Sequence, residues 1–358
     1  MNDFNKFYTM TPMKYYDCQG NYNSPKAQAM INNSDSKYIA THKSDGEWGR
    51  LIVGEDGLVT IQSRSISKVT GEYGDKTGQL PQIVAEAKTL FAPQTVLLGE
   101  ICFDDITTTS RDVGSILRCL PAKAVLRQEK GQWLYFKVFD CLAMAGVDCM
   151  DVPYARRLQM IDGYLKILAH KTHYIKICDY TTCNFTDFLA DILRLGGEGI
   201  VIHSKDYLYA PGKRTAWMTL KVKKSTGEIE VPVVDTLAPT KVYTGIDRNH
   251  WDLWEIVDKD GQYKLANTTL DYLFEHGIDG VPVTKPYFNG WRSGIIVNHN
   301  NNLVRVASGL TDEDRAWLAT EEAAQAILEG RLVAVISGME ITEDSIRHPR
   351  LIRLRTDA

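Results

Sequence analysis

The sequence predicts an α+β protein of two domains, and two observations in the chain indicate this. From residue 38 to residue 224, apolar runs of strand length alternate with segments of helical periodicity. Beyond residue 227, short strands and turns replace that alternation, with one helical segment among them. We therefore predict a first domain of strands and helices over residues 1–226 and a second domain, a small β-barrel, over residues 227–358.

Composition limits the classes of protein to be considered. Of 358 residues, 44% are hydrophobic and 24% are charged, which is typical of a globular chain with a substantial core. The net charge of −4 indicates that any nucleic-acid binding depends on local clusters of cations. The seven cysteines form no C-x-x-C pair, as in a reduced intracellular protein. With no signal-peptide pattern or long apolar run, we expect a soluble cytoplasmic protein.

The first strands are expected around Lys43. Residues 38–53 begin apolar, pass through a polar centre that closes on an Asp-Gly pair, and become apolar again. This pattern predicts a hairpin with Lys43 at a strand end, after an irregular lead-in over residues 1–37 that holds one short helix at 24–32. Such a lysine is either a solvated turn residue or, when desolvated near other cations, a nucleophile.

Polar residues stand at or near the ends of the next predicted strands. Ser63 and Arg64 end one strand, and Phe139 and Asp140 lie where a later strand is expected to end. Between them, Glu100 interrupts a run that is apolar on both faces. A buried glutamate requires a cation, a metal or a ligand as partner, unless it lies at an exposed strand end.

Two helices and two strands complete the predicted first domain. Pro153 begins the first helix and Gly196 closes the second. Glu198 then opens a strand, and the following strand carries Lys221 and Lys223 two residues apart, which places both lysines on one face. The alternative is an exposed edge strand protected by lysines.

The second domain is predicted to consist mainly of short strands. One helix over residues 311–330 has Thr311 as its N-cap and acidic residues in its first turn. This arrangement is typical of a small β-barrel of the OB type, although the segment 242–286 is longer than such a barrel needs. The final strands carry a run of arginines, which is often a solvated face.

Taken in chain order, the strand-end residues form the following set: Lys43-x-Asp45-Gly46, Ser63-Arg64, Glu100, Phe139-Asp140, Glu198-Gly199 and Lys221-x-Lys223. This set resembles the motifs of the covalent nucleotidyltransferases, and with the C-terminal barrel it resembles ATP-dependent DNA ligases of the compact phage type. The segments VRVASGLTDEDR and SIRHPRLIRLR are similar to barrel segments of that family. The resemblance implies an adenylation (nucleotidyltransferase) domain of antiparallel sheets with helices, followed by an OB-fold domain.

The resemblance makes Lys43 the nucleophile that attacks the α-phosphate of ATP and carries AMP covalently. Lys221 and Lys223 then contact the α-phosphate and offset the charge that develops in the transition state. An amine must be neutral to attack, so we expect the two lysines and a bound metal to lower the pKa of Lys43.

Other members of the set receive binding roles from the same resemblance. Glu198 is expected to bind Mg²⁺, and Glu100 to hold the ribose hydroxyls and assist with the metal. Phe139 is expected to stack on adenine, the alternative being a plain core phenylalanine. Arg64 is expected to bind phosphate, and Asp45 to orient the turn, the alternative being a simple Asx-turn.

Three further positions of the nucleotide site follow from the family pattern. Thr41 stands where many relatives carry a glutamate that reads the adenine edge. Trp48 stands where the family usually has an arginine, and Arg50 is the candidate to replace it. Arg353 and Arg355 lie in the final motif, which closes over the pyrophosphate of ATP and whose usual terminal lysine is absent from this chain.

The function expected from the resemblance is an ATP-dependent DNA ligase. It would use ATP and Mg²⁺ to seal 3′-OH/5′-phosphate nicks in double-stranded DNA, as a monomer with no membrane partner. RNA ligases and mRNA guanylyltransferases share most of these motifs and are the alternative enzymes. A nick-binding protein that has lost catalysis is the alternative from another class.

Overall fold

The computed structural model describes residues 4–18, 22, 24–33, 36–67, 70–214, 217–223, 227–245, 247, 250–258, 260–338 and 340–356. The chain divides into two compact units, residues 1–224 and 225–358, each with its own hydrophobic core. The mixed α/β organisation with antiparallel sheets is confirmed. The predicted boundary between residues 226 and 227 adjoins residues 224–226, which lie outside the described residues, so this boundary stays a prediction.

Two sheets form the frame of the first unit. Its strands are β1 Tyr38–Lys43, β2 Glu47–Val53, β3 Val59–Ile66, β4 Tyr73–Asp75, β5 Thr95–Cys102, β6 Tyr135–Met144, β7 Val147–Asp148, β8 Ile175–Ile177, β9 Tyr180–Thr181, β10 Gly199–Ser204 and β11 Thr219–Lys223. The smaller sheet has the order β11-β10-β1-β9. The larger has the order β4-β3-β2-β5-β6-β7, and β8 joins β6 as a parallel strand.

The helices of this unit are α1 Lys6–Thr9, α2 Pro25–Asn32, α3 Pro81–Leu90, α4 Ser110–Leu117, α5 Pro121–Lys130, α6 Tyr154–Ile167 and α7 Phe185–Arg194. Apolar residues of α3 and α6 pack on the larger sheet, and those of α2 and α7 pack on the smaller one. A third cluster joins the sheets to each other, since it contains Ile39 of β1 with Ile52 of β2 and Leu98 of β5. The two sheets therefore face each other across a shared interior.

The predicted hairpin at residues 38–53 is wrong in its pairing. Both strands exist, but β1 pairs with β9 and β10 in the smaller sheet, whereas β2 pairs with β3 and β5 in the larger. The residues between Lys43 and Glu47 thus carry the chain from one sheet to the other. Strand pattern alone could not reveal this, because an apolar strand has the same pattern whichever neighbour it pairs with.

The second unit is built mainly of strands. These are β12 Ile229–Leu237, β13 Leu253–Val257, β14 Tyr263–Asn267, β15 Gly280–Pro282, β16 Gly294–His299, β17 Asn302–Val306, β18 Leu332–Ser337, β19 Glu340–Ile341, β20 Ile346–Arg347 and β21 Arg350–Thr356. A five-stranded sheet has the order β17-β16-β12-β18-β21, and β19 pairs with β20. The long segment 242–286 contributes a separate three-stranded sheet, β14-β13-β15, with a small core around Trp254.

Among the described residues of this unit, four helices accompany these strands: α8 Leu270–Glu275, α9 Lys285–Phe288, α10 Asp312–Trp317 and α11 Glu321–Leu328. The single helix predicted over residues 311–330 is therefore two helices. The break occurs because the hydroxyl of Thr320 accepts a hydrogen bond from the backbone N–H of Ala323 and caps a new helix. Thr311 caps the first helix as predicted. Among the described helices of both units, none has the length and apolar character that a membrane crossing requires.

Candidate active site

Lys43 is the last residue of β1, at the point where the chain leaves the smaller sheet. Its Nζ forms an ion pair with the carboxylate of Glu198, and the two side chains are only 19% and 17% exposed. The register of the sheet explains the meeting: Lys43 lies opposite Gly199, which follows Glu198 and itself lies opposite Lys223. The solvated turn lysine is therefore not what the structure contains.

Gly199 makes this close approach possible. Its φ is +150°, and a Cβ on this residue would lie 2.1 Å from the backbone oxygen of Val222. Any side chain at this position would push β10 away from β11. The Glu-Gly pair thus needs its glycine for a steric reason, independent of the chemistry of the glutamate.

Glu100 extends from the larger sheet into the cavity that Lys43 also lines. It lies on β5 opposite Trp48, and a Cβ on Gly46 would lie 2.8 Å from its Cγ and 2.3 Å from the backbone oxygen of Ile101. Gly46 therefore allows the chain segment that follows Lys43 to pass directly over β5. Residues from both sheets meet in one cavity of about 150 Å³.

Six of the predicted site residues line this cavity: Thr41, Lys43, Arg64, Glu100, Phe139 and Lys221. At its charged end, Lys43, Arg64, Glu100 and Lys221 are close enough for their charges to act on one another. At its uncharged end, Phe139 and Thr41 lie beside Tyr15 and His203. Lys223 lies next to this set, where its Nζ pairs with Asp17 at 3.1 Å. The two lysines of β11 thus have different surroundings, although their spacing predicts a shared face.

Two groups at the charged end have shifted pKa values. Burial, together with the positive charges of Lys43 and Lys223, lowers the pKa of Lys221 to about 8. Burial, opposed by the positive charge of Lys43 and aided by the negative charge of Glu198, raises the pKa of Glu100 to about 7. Burial and a like-charged neighbour therefore act on both groups, as is common at functional sites.

The candidate metal ligands Glu198 and Glu100 are close enough for the charge of Glu198 to raise the pKa of Glu100. The raised pKa of Glu100 means that the protein's own cations do not fully offset its buried carboxylate. Hard carboxylate oxygens suit Mg²⁺, which usually keeps several waters and takes few protein ligands. The described residues hold no group of three or more His, Cys, Asp or Glu side chains placed to bind a metal. The pair fits Mg²⁺ held with water and substrate oxygens.

Arg50, which was expected to bind the nucleotide, is not among the residues that line the cavity. Its side chain is fully buried and donates hydrogen bonds to the backbone oxygens of Met10 and Tyr8 and to the side-chain oxygen of Gln62. Trp48, two residues earlier on the same strand, lines the cavity instead. Arg50 therefore anchors the N-terminal segment to the larger sheet.

Arg64 does lie in the cavity, and Trp48 holds it there. The Arg64 guanidinium carbon is 5.5 Å from the centre of the Trp48 ring, and Nη2 donates to the backbone oxygen of Met13 at 2.9 Å. A tryptophan face stabilises a cation while leaving other guanidinium N–H groups available. Trp48 therefore serves as a platform for Arg64.

Phe139 lies at the uncharged end, within β6 rather than at its end. Its backbone oxygen accepts a hydrogen bond from Tyr154, and the next residue, Asp140, forms a fully buried two-point ion pair with Arg157 at 2.7 and 2.9 Å. The Tyr15 ring meets Phe139 edge-on, with centroids 6.2 Å apart. Phe139 is thus held in place from its backbone and from one edge of its ring.

Several residues that line the cavity were not predicted from the sequence, among them Tyr15, Lys137 and His203. Tyr15 belongs to the segment predicted as an irregular lead-in, which carried no periodic signal. Arg353 and Arg355 lie exposed on β21 of the second unit, where Arg355 forms a two-point ion pair with Glu230 at 2.7 Å.

The fold and this cavity define the class: a ligase fold of the nucleotidyltransferase type, with two mainly antiparallel sheets enclosing a lysine, carboxylates and further cations. Residues 22–223, more than half of the chain, match the family model described as ATP dependent DNA ligase domain. The chain belongs to that family.

Relatives agree with this membership. The chain is 25% identical over 315 residues to the DNA ligase of Methanococcus aeolicus, covering 85% of this chain and 49% of the relative. It is 25% identical over 335 residues to the DNA ligase of Natronomonas pharaonis, covering 88% and 51%. The chain therefore spans about half the length of these curated relatives.

Solved structures show the same fold. A structure described as a Lig E DNA ligase aligns with a TM-score of 0.55 at 16% identity, covering 97% of this chain and 99% of that one. Another, described as Pmar-Lig_Pre, aligns with a TM-score of 0.62 at 15% identity, covering 98% and 69%.

Proposed function

We propose that the chain is an ATP-dependent DNA ligase that seals 3′-OH/5′-phosphate nicks in duplex DNA. The observation that carries this proposal is the contact of Lys43 with Glu198 in a cavity that has a cationic end and an aromatic end. A nucleotide has the same division, with charged phosphates at one end and an uncharged planar base at the other. Membership of the ligase domain family supports ATP as the nucleotide.

In the first step, the Lys43 amine attacks the α-phosphorus of ATP. The new N–P bond replaces the bond to the β-phosphate oxygen, pyrophosphate leaves, and the amine loses a proton. Glu198 contacts Nζ and orients it. Lys221 and Arg64 lie where they offset the negative charge that develops on the phosphate oxygens, with Lys223 next to them.

In the second step, a 5′-phosphate oxygen of nicked DNA attacks the lysine-bound AMP, and the Lys43 amine leaves. In the third, the 3′-OH attacks that 5′-phosphate, the phosphodiester forms and AMP leaves. Glu100 and Glu198 would hold Mg²⁺, which when bound neutralises charge on the phosphate oxygens. Phe139 would stack on adenine, and Glu100 would also bind the ribose.

The second unit has a proposed supporting role. Its five-stranded sheet with a helix among the strands agrees with an OB-type domain. Arg353 and Arg355, exposed on its last strand, would contact the pyrophosphate in the first step. Contacts of such arginines with DNA phosphates would not depend on sequence and would weaken with salt. We propose a monomer acting in the cytoplasm.

The test is labelling with ATP that carries ³²P in the α-phosphate, in the presence of Mg²⁺. Wild type should acquire a covalent label and then seal nicked duplex DNA, and Lys43→Ala should do neither. The matched control is Lys166→Ala, a lysine whose side chain is 70% exposed on α6; it should label normally. A Lys43→Ala protein that still labels would contradict the assignment.

Parallel reactions distinguish the alternative functions. Labelling by GTP instead of ATP would indicate a guanylyltransferase, and preferential sealing of RNA ends would indicate an RNA ligase. Tight binding to nicked DNA without any labelling would indicate a binding protein that has lost catalysis.

A further inference from the structure

The N-terminal segment that contains Tyr16 and Asp17 runs beside β11, the strand that carries two lysines of the candidate site. β11 is an edge strand of the smaller sheet, with β10 on one side. On the other side, the backbone N–H of Lys221 donates to the backbone oxygen of Tyr16 at 2.9 Å, and Asp17 lies opposite Lys221 as in a parallel sheet. The segment therefore supplies hydrogen bonds to an edge that would otherwise stay open.

Two further contacts hold this segment against β11. The backbone N–H of Tyr16 donates to the side-chain oxygen of Thr219 at 3.1 Å, and the backbone N–H of Lys223 donates to the hydroxyl oxygen of Tyr22 at 2.9 Å. Contacts thus occur at three alternate residues of β11, from its first residue to its last. They hold the backbone of Asp17 in register with the two lysines.

The Asp17 carboxylate forms an ion pair with Lys223, and the distance from Oδ2 to Nζ is 3.1 Å. The side chain of Lys223 is 20% exposed, and neither residue is among those that line the cavity. Lys221 does line the cavity, and it forms no ion pair within the part of the chain that the structure describes. Asp17 thus pairs with the lysine beside the cavity, and the lysine within the cavity is left for the substrate.

Three lysines meet at the charged end of the cavity, and their charges repel one another. Burial and the positive charges of Lys43 and Lys223 lower the pKa of Lys221, whereas the negative charge of Asp17 raises it. Asp17 therefore lies close enough to act on this group of charges. A lysine side chain is long and flexible, so repulsion from two neighbours favours conformations in which Lys223 points away from them. The ion pair with Asp17 opposes this and keeps the ammonium beside the cavity.

We propose that Asp17 is a positioning residue for the reaction of Lys43 with ATP: by pairing with Lys223, it keeps that ammonium at the edge of the cavity, where it meets the charge that develops on the phosphate oxygens. This inference rests on the proposed function, because the step that Lys223 assists is the attack on the α-phosphorus. Asp17 does not line the cavity, so it acts through Lys223.

The kinetic consequence follows from where Lys223 lies before the reaction. Because Lys223 is not part of the cavity lining, ATP gains little from it on binding. Its contribution is made as the bond to pyrophosphate breaks and charge accumulates. Loss of Asp17 should therefore lower the maximal rate of labelling and leave the affinity for ATP nearly unchanged. A residue with a merely structural role would instead lower stability, or lower affinity and rate together.

The experiment measures the rate of covalent labelling by α-³²P ATP over a range of ATP concentrations, in the presence of Mg²⁺. Asp17→Asn keeps the size of the side chain but removes its charge. It should lower the maximal rate about tenfold, as for one charge-assisted contact, while the half-saturating concentration of ATP stays within about threefold of wild type. Asp17→Glu keeps the charge and should restore the maximal rate to within about threefold of wild type. Calorimetric titration of ATP in a Lys43→Ala background checks the affinity directly.

Lys223→Met tests whether Asp17 acts through Lys223. This variant keeps the length of the side chain and removes its charge, so it should lower the maximal rate at least as much as Asp17→Asn. Adding Asp17→Asn to Lys223→Met should cause no further loss, because the partner of the carboxylate is already absent. The matched control is Asp148→Asn, whose carboxylate pairs with Lys6 and does not line the cavity. It should label at the wild-type rate.

A wild-type maximal rate in Asp17→Asn would overturn the inference and leave the ligase assignment intact. The inference is also overturned if Asp17→Asn lowers the rate equally with and without the charge of Lys223, since Asp17 would then act by another route. If wild type acquires no label, the proposed function itself fails. Should Asp17→Asn fail to fold, Asp17→Ser removes the same charge and is judged by the same rate and the same double variant.

Discussion

Lys43 and Glu198 stand 155 residues apart in the chain and form an ion pair between two partly buried side chains. Glu198→Gln keeps the shape of the side chain but removes the charge that holds the lysine. We expect labelling by ATP to fall about 100-fold or more, as for loss of a charged group that acts on the reacting atoms. The rate of label transfer measures this, with Glu329→Gln in the second unit as the control. A fall of less than about threefold would show that Glu198 has no part in the first step.

The raised pKa of Glu100 predicts a pH-dependent cost to stability. The folded state holds the proton up to about pH 7, whereas an unfolded glutamate releases it near 4.5. The destabilisation caused by the buried Glu100 carboxylate is therefore absent below pH 4.5, grows as pH rises, and is complete above pH 7. Glu100→Gln should be more stable than wild type by on the order of 3 kcal/mol at pH 8, in EDTA. Urea unfolding at pH 4.5 and 8 tests this, and equal differences at both would contradict it.

Lys221 predicts a second pH dependence, this time in the affinity for ATP. Its pKa of about 8 means that it loses its positive charge as pH rises past that value. The affinity for ATP should decline between pH 7 and pH 9 because the phosphates lose a cation. Lys221→Arg keeps its charge throughout this range and should show a flatter profile. Calorimetric titration with Lys43→Ala as background measures both profiles; identical slopes would exclude Lys221 as the source.

Gly199 should be intolerant of any side chain. Gly199→Ala introduces a Cβ that would lie 2.1 Å from a backbone oxygen at a φ of +150°, and we expect a loss of about 3 kcal/mol in the free energy of unfolding. Gly163→Ala is the matched control within α6, where nothing lies within 4 Å of the added carbon. It should stabilise the protein by up to about 1 kcal/mol. Similar unfolding midpoints for both variants would contradict the close packing of β10 on β11.

Substitutions of Arg50 and Arg64 should have different effects, the first on stability and the second on nucleotide binding. Arg50 makes four hydrogen bonds from three separate nitrogens, and a lysine has only one nitrogen to replace them. Arg50→Lys should therefore cost the fold about 2–4 kcal/mol, while the folded protein keeps its affinity for ATP within about threefold. Arg64→Lys should do the reverse, with little change in stability and weaker binding. Chemical unfolding and calorimetry measure the two effects. Weaker ATP binding by folded Arg50→Lys would restore the role first expected for this residue.

Much of the candidate site could be predicted from the sequence because its residues stand in short motifs at strand ends. Local patterns singled out Lys43, Glu100 and Lys221, the family resemblance gave them their expected roles, and all three line the cavity. The position of Arg50 outside the cavity could not be predicted, because a one-dimensional spacing does not show which way a side chain points. Tyr15 and His203 carried no signal, since their position depends on pairing between distant segments.

Because the chain crosses from one sheet to the other at Lys43, the candidate site affects how strongly the two sheets of the first unit are held together. Thr41, Lys43, Glu198 and Lys221 belong to or adjoin the smaller sheet, whereas Arg64, Glu100 and Phe139 belong to the larger. A nucleotide that contacts both groups would add to the apolar packing that already joins the two sheets. Its binding energy would then also resist separation of the sheets, in proportion to the logarithm of its concentration above the dissociation constant.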